Sequence, residues 1–160
     1  ERVFEAYKKL DSEYDFIVNI QGDEPFIKKE QLSDIISICR KPNQICTLIK
    51  KEKYSKDLER ESIMKVVINN KNEAMYFSRS LIPYQYKKKN YFKHICIYAY
   101  DPITLKKIIS LPPSSLEISE SLEQLRWLEN EFKIKVKITN SDSFSVDTKE
   151  DLILAENYVN

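Results

Sequence analysis

The sequence predicts an α/β domain whose sheet is mixed, mostly parallel and flanked by helices. Two observations lead there. Helical and strand-like hydrophobic periods alternate along the chain, and Phe16-Ile17-Val18 is too apolar for a half-exposed edge strand. A third observation marks the functional rim. The first strand stops abruptly at Gln21-Gly22-Asp23-Glu24-Pro25, and Gly22 is the sole glycine among 160 residues. In open α/β sheets, ligands bind outside the carboxyl ends of strands. A glycine there lets backbone approach a ligand, and a carboxylate there can hold a metal. The other reading of this stretch is a turn with solvated acids.

The elements follow in order. Val3, Phe4, Tyr7 and Leu10 fall on one helical face, and a helix already under way suggests the later part of a longer protein. Residues 15–20 read as a strand, and residues 30–40 as a helix with Leu32, Ile35, Ile36 and Cys39 at helical spacing. A second strand covers residues 45–49. Residues 64–69 and 74–77 form a hairpin arm around Asn69-Asn70-Lys71-Asn72. Lys87-Lys88-Lys89-Asn90 is expected at a solvated loop tip. After a strand over residues 95–100, Asp101-Pro102 supplies an N-cap and a proline at the first helical position, for a helix reaching Ser110.

Pro112-Pro113 ends that helix, and one long helix is expected from Ser114 or Ser115 to about Glu131. On it, Ile118, Leu122, Leu125 and Glu129 share the core side. Leu116, Glu120, Glu123 and Trp127 share the other, which packs on a second subunit, walls a cavity, or is simply exposed. Residues 133–138 alternate as a strand with Ile134, Val136 and Ile138 on one face. Asp147-Thr148-Lys149-Glu150 caps a final helix. With no repeat and no low-complexity linker, residues 1–160 read as one domain.

Composition narrows the function classes. No apolar run is long enough to span a bilayer. No secretory leader is visible, and a cytoplasmic protein is expected. With 26 basic and 25 acidic residues, charge gives no argument for nucleic acid or an anionic membrane. Three scattered cysteines read as reduced, buried thiols, and a single histidine excludes a His-rich zinc site within this chain.

Five ordered stretches carry a resemblance: NIQGDEP, AMYFSRSLIPY, FKHICIYAY, LEQLRWLE and SVDTKEDL. Together they resemble the 3-deoxy-manno-octulosonate cytidylyltransferases, the CMP-Kdo synthetases, over essentially the whole chain. The resemblance implies a Rossmann-like nucleotidyltransferase fold that joins Kdo to CTP for lipopolysaccharide synthesis. It implies Mg²⁺ held by Asp23 and Asp147, although aspartate at 147 is also a good helix cap. It implies sugar contacts from Gln21, Arg79, His94, Tyr98, Glu123 and Gln124, and a homodimer, for which Tyr84, Tyr86, Tyr91 and Phe92 are candidate contacts. An arginine suits a sugar carboxylate because it can pair bidentately. His94 and Tyr98 share a face if their strand is regular.

Departures from the family pattern are Ser145, Cys96 and Ala99 in place of usual glycines, and Lys149 in place of a usual proline. The family's N-terminal βα units and glycine-rich, basic CTP loop have no counterpart in the sequence. A sugar-side half-site that binds CTP poorly, and is inactive alone, is therefore expected of this stretch. Two other readings are a cytidylyltransferase for another 2-keto sugar acid of the sialic acid type, and a non-catalytic sugar-binding or dimerising module.

Overall fold

The structure is a computed structural model, and it describes residues 2–40, 42–86, 90–142, 145–146 and 148–159. Asp147 and the Lys87–Lys89 charge run lie outside the described residues.

One six-stranded sheet organises the fold. Its strands are β1 (Ile17–Ile20), β2 (Ile45–Lys53), β3 (Lys65–Ile68), β4 (Ala74–Ser78), β5 (Asn90–Tyr100) and β6 (Ile134–Thr139). The helices are α1 (Arg2–Tyr7), α2 (Lys29–Ile38), α3 (Pro102–Ile109), α4 (Ser115–Glu120), α5 (Glu123–Glu129) and α6 (Lys149–Val159). Among the described residues, no helix is long and apolar enough to cross a membrane.

The α/β class holds, but the expected balance of strand directions does not. Only the β2–β6 pairing is parallel, and the other four pairings are antiparallel. The physical reason lies in β5. Strands β1, β2, β3 and β6 all point one way, which is what the alternating pattern reported. Strand β5 is inserted among them in the opposite sense, and β4 returns from β3 through a short hairpin, which requires antiparallel pairing.

Strand β2 follows one edge of β5 from Ile45 opposite Tyr100 to Lys53 opposite Asn90. Two strands share the other edge. β1 takes the end nearest Tyr100, finishing with Ile20 opposite Ile97, while β3 meets β5 at Lys65 opposite Lys93. Where β1 stops and β3 has not begun, the edge of β5 opens opposite residues 95–96. Strand β1 is thus an edge strand among the described residues, contrary to expectation. Val18 of β1, and Phe16 just before it, are covered on one face instead, by α2.

The β2–β5 register jumps: Thr47 faces Tyr98, but Leu48 faces Ile95. Strand β5 therefore carries two extra residues, Cys96 and Ile97. An even number preserves side-chain alternation. Ile95, Ile97 and Ala99 pack beneath α2 with Ile35, Cys39, Cys46 and Leu48. Tyr98 and Tyr100 face the opposite core with Leu105, Ile108, Leu125 and Trp127 from α3 and α5. The three cysteines form no disulfide among the described residues and are buried, as expected.

Asp101 caps α3 as its sequence predicts, accepting from the Thr104 amide at 2.9 Å, with Pro102 in the first turn. The long helix does not form. Ser121 adopts a left-handed conformation (φ 53°) and Leu122 is extended, dividing the segment into α4 and α5. The break is pinned to the end of β4. Ser78 Oγ donates to the Glu120 carboxylate at 2.7 Å, and the Arg79 amide donates to its other oxygen at 3.0 Å. Because the two halves point differently, one helical wheel cannot describe them. Ile118 is 71% exposed, whereas Trp127 is 3% exposed and joins the core. Leu10, Ile36 and Ile138 are also exposed. At the last helix, Thr148 and Asp151 cap reciprocally, each side chain accepting the other's backbone amide, at 3.0 and 3.1 Å. Of the proposed dimer aromatics, Tyr84 and Tyr86 are exposed, but Tyr91 is buried within this chain.

Candidate functional site

Residues flanking the opening in the edge of β5, among them Asn19, Met64 and Cys96, line a cavity of about 300 Å³. Gln21 and Asp23 reach it from the loop after β1, and Arg79 from the end of β4. His94 and Tyr98 line it from the even-numbered face of β5, and Glu123 and Gln124 from the first turn of α5. All seven of these predicted residues meet there. The eighth, Asp147, is outside the described residues.

Three polar atoms of wall residues are buried without a partner among the described residues: Asp23 Oδ1, Tyr98 Oη and Trp127 Nε1. A buried polar atom left unpaired costs about 1–3 kcal/mol, so such a cluster marks a place where a polar ligand completes the bonding. Burial also raises the Tyr98 hydroxyl well above its ordinary pKa, so it remains a neutral donor and acceptor. Glu123 is exposed at the rim, and its negative charge acts in the same direction on Tyr98 and Tyr100. Gln124 is buried and its amide reaches only the Met64 sulfur, at 3.8 Å, a weak acceptor.

His94 is a different kind of residue. It is 3% exposed, with Nε2 2.9 Å from Thr47 Oγ1. The Thr47 hydroxyl donates to the Ile97 carbonyl at 2.7 Å, so it accepts from His94, which fixes the proton on Nε2. Burial pushes the imidazole pKa down to about 3, and the ring is neutral at physiological pH. His94 lies beside Tyr98 with the rings tilted at 52° and their centroids 5.3 Å apart, which confirms the shared face.

Arg79 is more committed to the protein than its sequence suggested. Its guanidinium donates to the carbonyls of Glu120 (2.9 Å), Glu61 (3.0 Å) and Ser121 (3.2 Å). Three of five N–H groups are used, leaving one on each terminal nitrogen for a ligand. Lys65 supports it from below. This lysine is fully buried, and its ammonium donates to the carbonyls of Ile63 (2.6 Å), Arg60 (3.2 Å) and Arg79. Burial lowers its pKa, and three carbonyls occupy its three protons. Sequence reasoning passed over Lys65, although a lysine inside the apolar run Met64–Ile68 was a visible signal. It also passed over Cys96 and Tyr100, which share the parity of His94 and Tyr98.

A Cβ on Gly22 would meet nothing within 4 Å, and its φ is not positive. Packing within the described residues does not demand a glycine there. The unpaired Asp23 oxygen fits a hard divalent cation, which binds one or two carboxylates plus phosphate oxygens and water. Among the described residues, no group of three or more His, Cys, Asp or Glu side chains could enclose a metal ion.

The family model described as Cytidylyltransferase matches residues 1–138. A 3-deoxy-manno-octulosonate cytidylyltransferase from Parabacteroides distasonis is 50% identical, over 95% of this chain and 66% of that protein. One of the same name from Phocaeicola vulgatus is 46% identical, over 99% of this chain and 68% of its own length. This chain belongs to the 3-deoxy-manno-octulosonate cytidylyltransferase family. It spans about two thirds of the length of the curated relatives it matches. Among solved structures, a CMP:2-keto-3-deoxy-manno-octonic acid synthetase complexed with CTP matches this cytidylyltransferase-family chain with a TM-score of 0.78. The two are 33% identical, over 98% of this chain and 67% of that one. The nucleotidyltransferase fold expected from the sequence is thereby borne out, with a six-stranded mixed sheet and flanking helices.

Proposed function

We propose that the whole protein transfers a cytidylyl group from CTP to Kdo, giving CMP-Kdo and pyrophosphate for lipopolysaccharide synthesis in the cytoplasm. The observation that carries this reading is the cavity wall with unpaired Asp23 and Tyr98 oxygens, in a chain half identical to a named Kdo cytidylyltransferase. The anomeric hydroxyl oxygen of the sugar attacks the α-phosphorus. The bond from that phosphorus to the bridging oxygen of the β-phosphate breaks, pyrophosphate leaves, and the hydroxyl proton passes to solvent.

This chain supplies the sugar side. The two remaining Arg79 N–H groups receive the sugar carboxylate, while Gln21, Tyr98, Glu123 and Gln124 bond its hydroxyls. Neutral His94 orients Tyr98 and does not move a proton. Asp23, with Asp147, would hold Mg²⁺, which when bound neutralises phosphate charge and eases ionisation of the attacking hydroxyl. The open space at Gly22 lets the nucleotide approach the backbone.

The test is pyrophosphate release by the complete protein with CTP and Mg²⁺, offering Kdo and sialic acid separately. Release with Kdo supports the proposal. Release only with sialic acid keeps the chemistry and overturns the sugar, and release with neither moves the function to sugar binding without turnover. A homodimer is part of the same reading, with exposed Tyr84 and Tyr86 at the contact. Sedimentation of the protein as a monomer at micromolar concentration would remove that part.

A further inference from the structure

The sugar contacts carried over from the family do not include Trp127, yet the geometry places this residue on the wall of the same cavity. It is 3% exposed, its Nε1 is buried, and among the described residues no acceptor bonds it. An indole N–H can only donate, so nothing within its own ring offsets the loss of water. Packing would allow another apolar ring here at no such cost. The ring is also held in one orientation. It stands edge-to-face on Tyr98 (centroids 5.1 Å, 80°) and on Tyr100 (5.9 Å, 86°). Two perpendicular aromatic contacts leave the indole little freedom to turn its N–H elsewhere.

The surrounding charges say what kind of acceptor comes. Glu123 lies near enough to act on the Tyr98 and Tyr100 hydroxyls, whereas the Arg79 guanidinium is anchored on the α4–α5 break and the Glu61 carbonyl. A ligand carboxylate is repelled at the Glu123 end and attracted at the Arg79 end. A sugar hydroxyl suits the Glu123 end, because it accepts from one neighbour while donating to another. Trp127 Nε1 is the donor, and Glu123 or Tyr98 is the acceptor.

We propose that Trp127 is a specificity-determining residue of the sugar side, donating its indole N–H to a hydroxyl oxygen of the acid sugar. The inference rests on the proposed function, and it is tested so that the two can fail separately. Trp127 is the single tryptophan of the sequence, so its indole ¹⁵N–¹H resonance is a direct reporter. In the complete protein the resonance is assigned by its loss in Trp127→Phe. Kdo alone is then added.

The expected result is a downfield shift of the indole proton that saturates with Kdo. Trp127→Phe should raise the KM for Kdo about 10-fold, with the KM for CTP and kcat changed by less than about 2-fold. Because this variant also removes packing, a second protein carries a benzothienyl side chain, which replaces the N–H by sulfur and keeps the shape. The same rise in KM is expected there. Turnover of Kdo with an unshifted indole, or an unchanged KM in the benzothienyl protein, overturns this inference and leaves the proposed function standing. Absence of turnover with Kdo in the unmodified protein overturns the proposed function itself.

Discussion

Strand β5 shows two treatments of one backbone. Its odd-numbered residues Ile95, Ile97 and Ala99 are sealed beneath α2 with two buried cysteines and Leu48. Its even-numbered residues His94, Cys96, Tyr98 and Tyr100 line a cavity. The first face stabilises the protein in proportion to the apolar area it hides. The second face forgoes some of that stabilisation, because the Tyr98 hydroxyl is buried unpaired. Yet the second face is not uniformly unsatisfied. His94 is bonded through Thr47, and so belongs to the structure as much as to the site. The difference teaches that burial does not separate scaffold from site here, whereas the unpaired Tyr98 hydroxyl marks which face is open to a ligand.

The largest effect is expected at Asp23 on the cavity wall, where one carboxylate oxygen is buried without a partner among the described residues. Asp23→Ala should reduce kcat of the complete protein by on the order of 10³-fold or more, with the far-ultraviolet circular dichroism unchanged. Ordinary turnover at ordinary Mg²⁺ would overturn the proposal that Asp23 holds a metal. His94 should behave in the opposite way. Its folded pKa of about 3 lies below the ordinary 6.5. An unfolded chain therefore takes up a proton that the folded one refuses. Its contribution is complete above pH 6.5 and declines by about 3–5 kcal/mol as pH falls toward 3. Urea denaturation across that range should show the decline, and His94→Gln should flatten it. An equal slope in the variant would contradict the buried neutral ring.

The packed face sets the next scale. Ile97→Ala should cost about 2–4 kcal/mol in urea denaturation while leaving the KM for Kdo within about 2-fold. A large change in KM would show that the two faces are not independent. The smallest stability effect belongs to Tyr98→Phe. Removing a buried hydroxyl that no described residue bonds should raise stability by about 1 kcal/mol, and raise the KM for Kdo about 10-fold. A marked loss of stability with no change in KM would move Tyr98 from the site to the scaffold.

How far these features could be read in the sequence depended on the range of the forces that set them. Asp101-Pro102 announced α3 because capping is decided within four residues. The parity of His94 and Tyr98 survived an irregular strand because two extra residues, not one, were accommodated. The helix break at Ser121 was not visible. It is imposed by Ser78 and Arg79, more than 40 positions away, whose bonds to Glu120 have no local trace. The direction of β5 was hidden for a similar reason, since apolar alternation is the same whichever way a strand runs. Seven residues that share one cavity were legible as a set because ordered motifs carried them. What each one bonds to in the folded chain was not, and Arg79 shows the gap most clearly.

The paired insertion in β5 has a consequence for how this strand can change over time. Each single-residue insertion or deletion between His94 and Tyr100 would exchange the two faces, sending tyrosines beneath α2 and isoleucines into the cavity. Changes of two residues would not. The strand is therefore read in steps of two, and inherited length variation within it should be confined to even numbers.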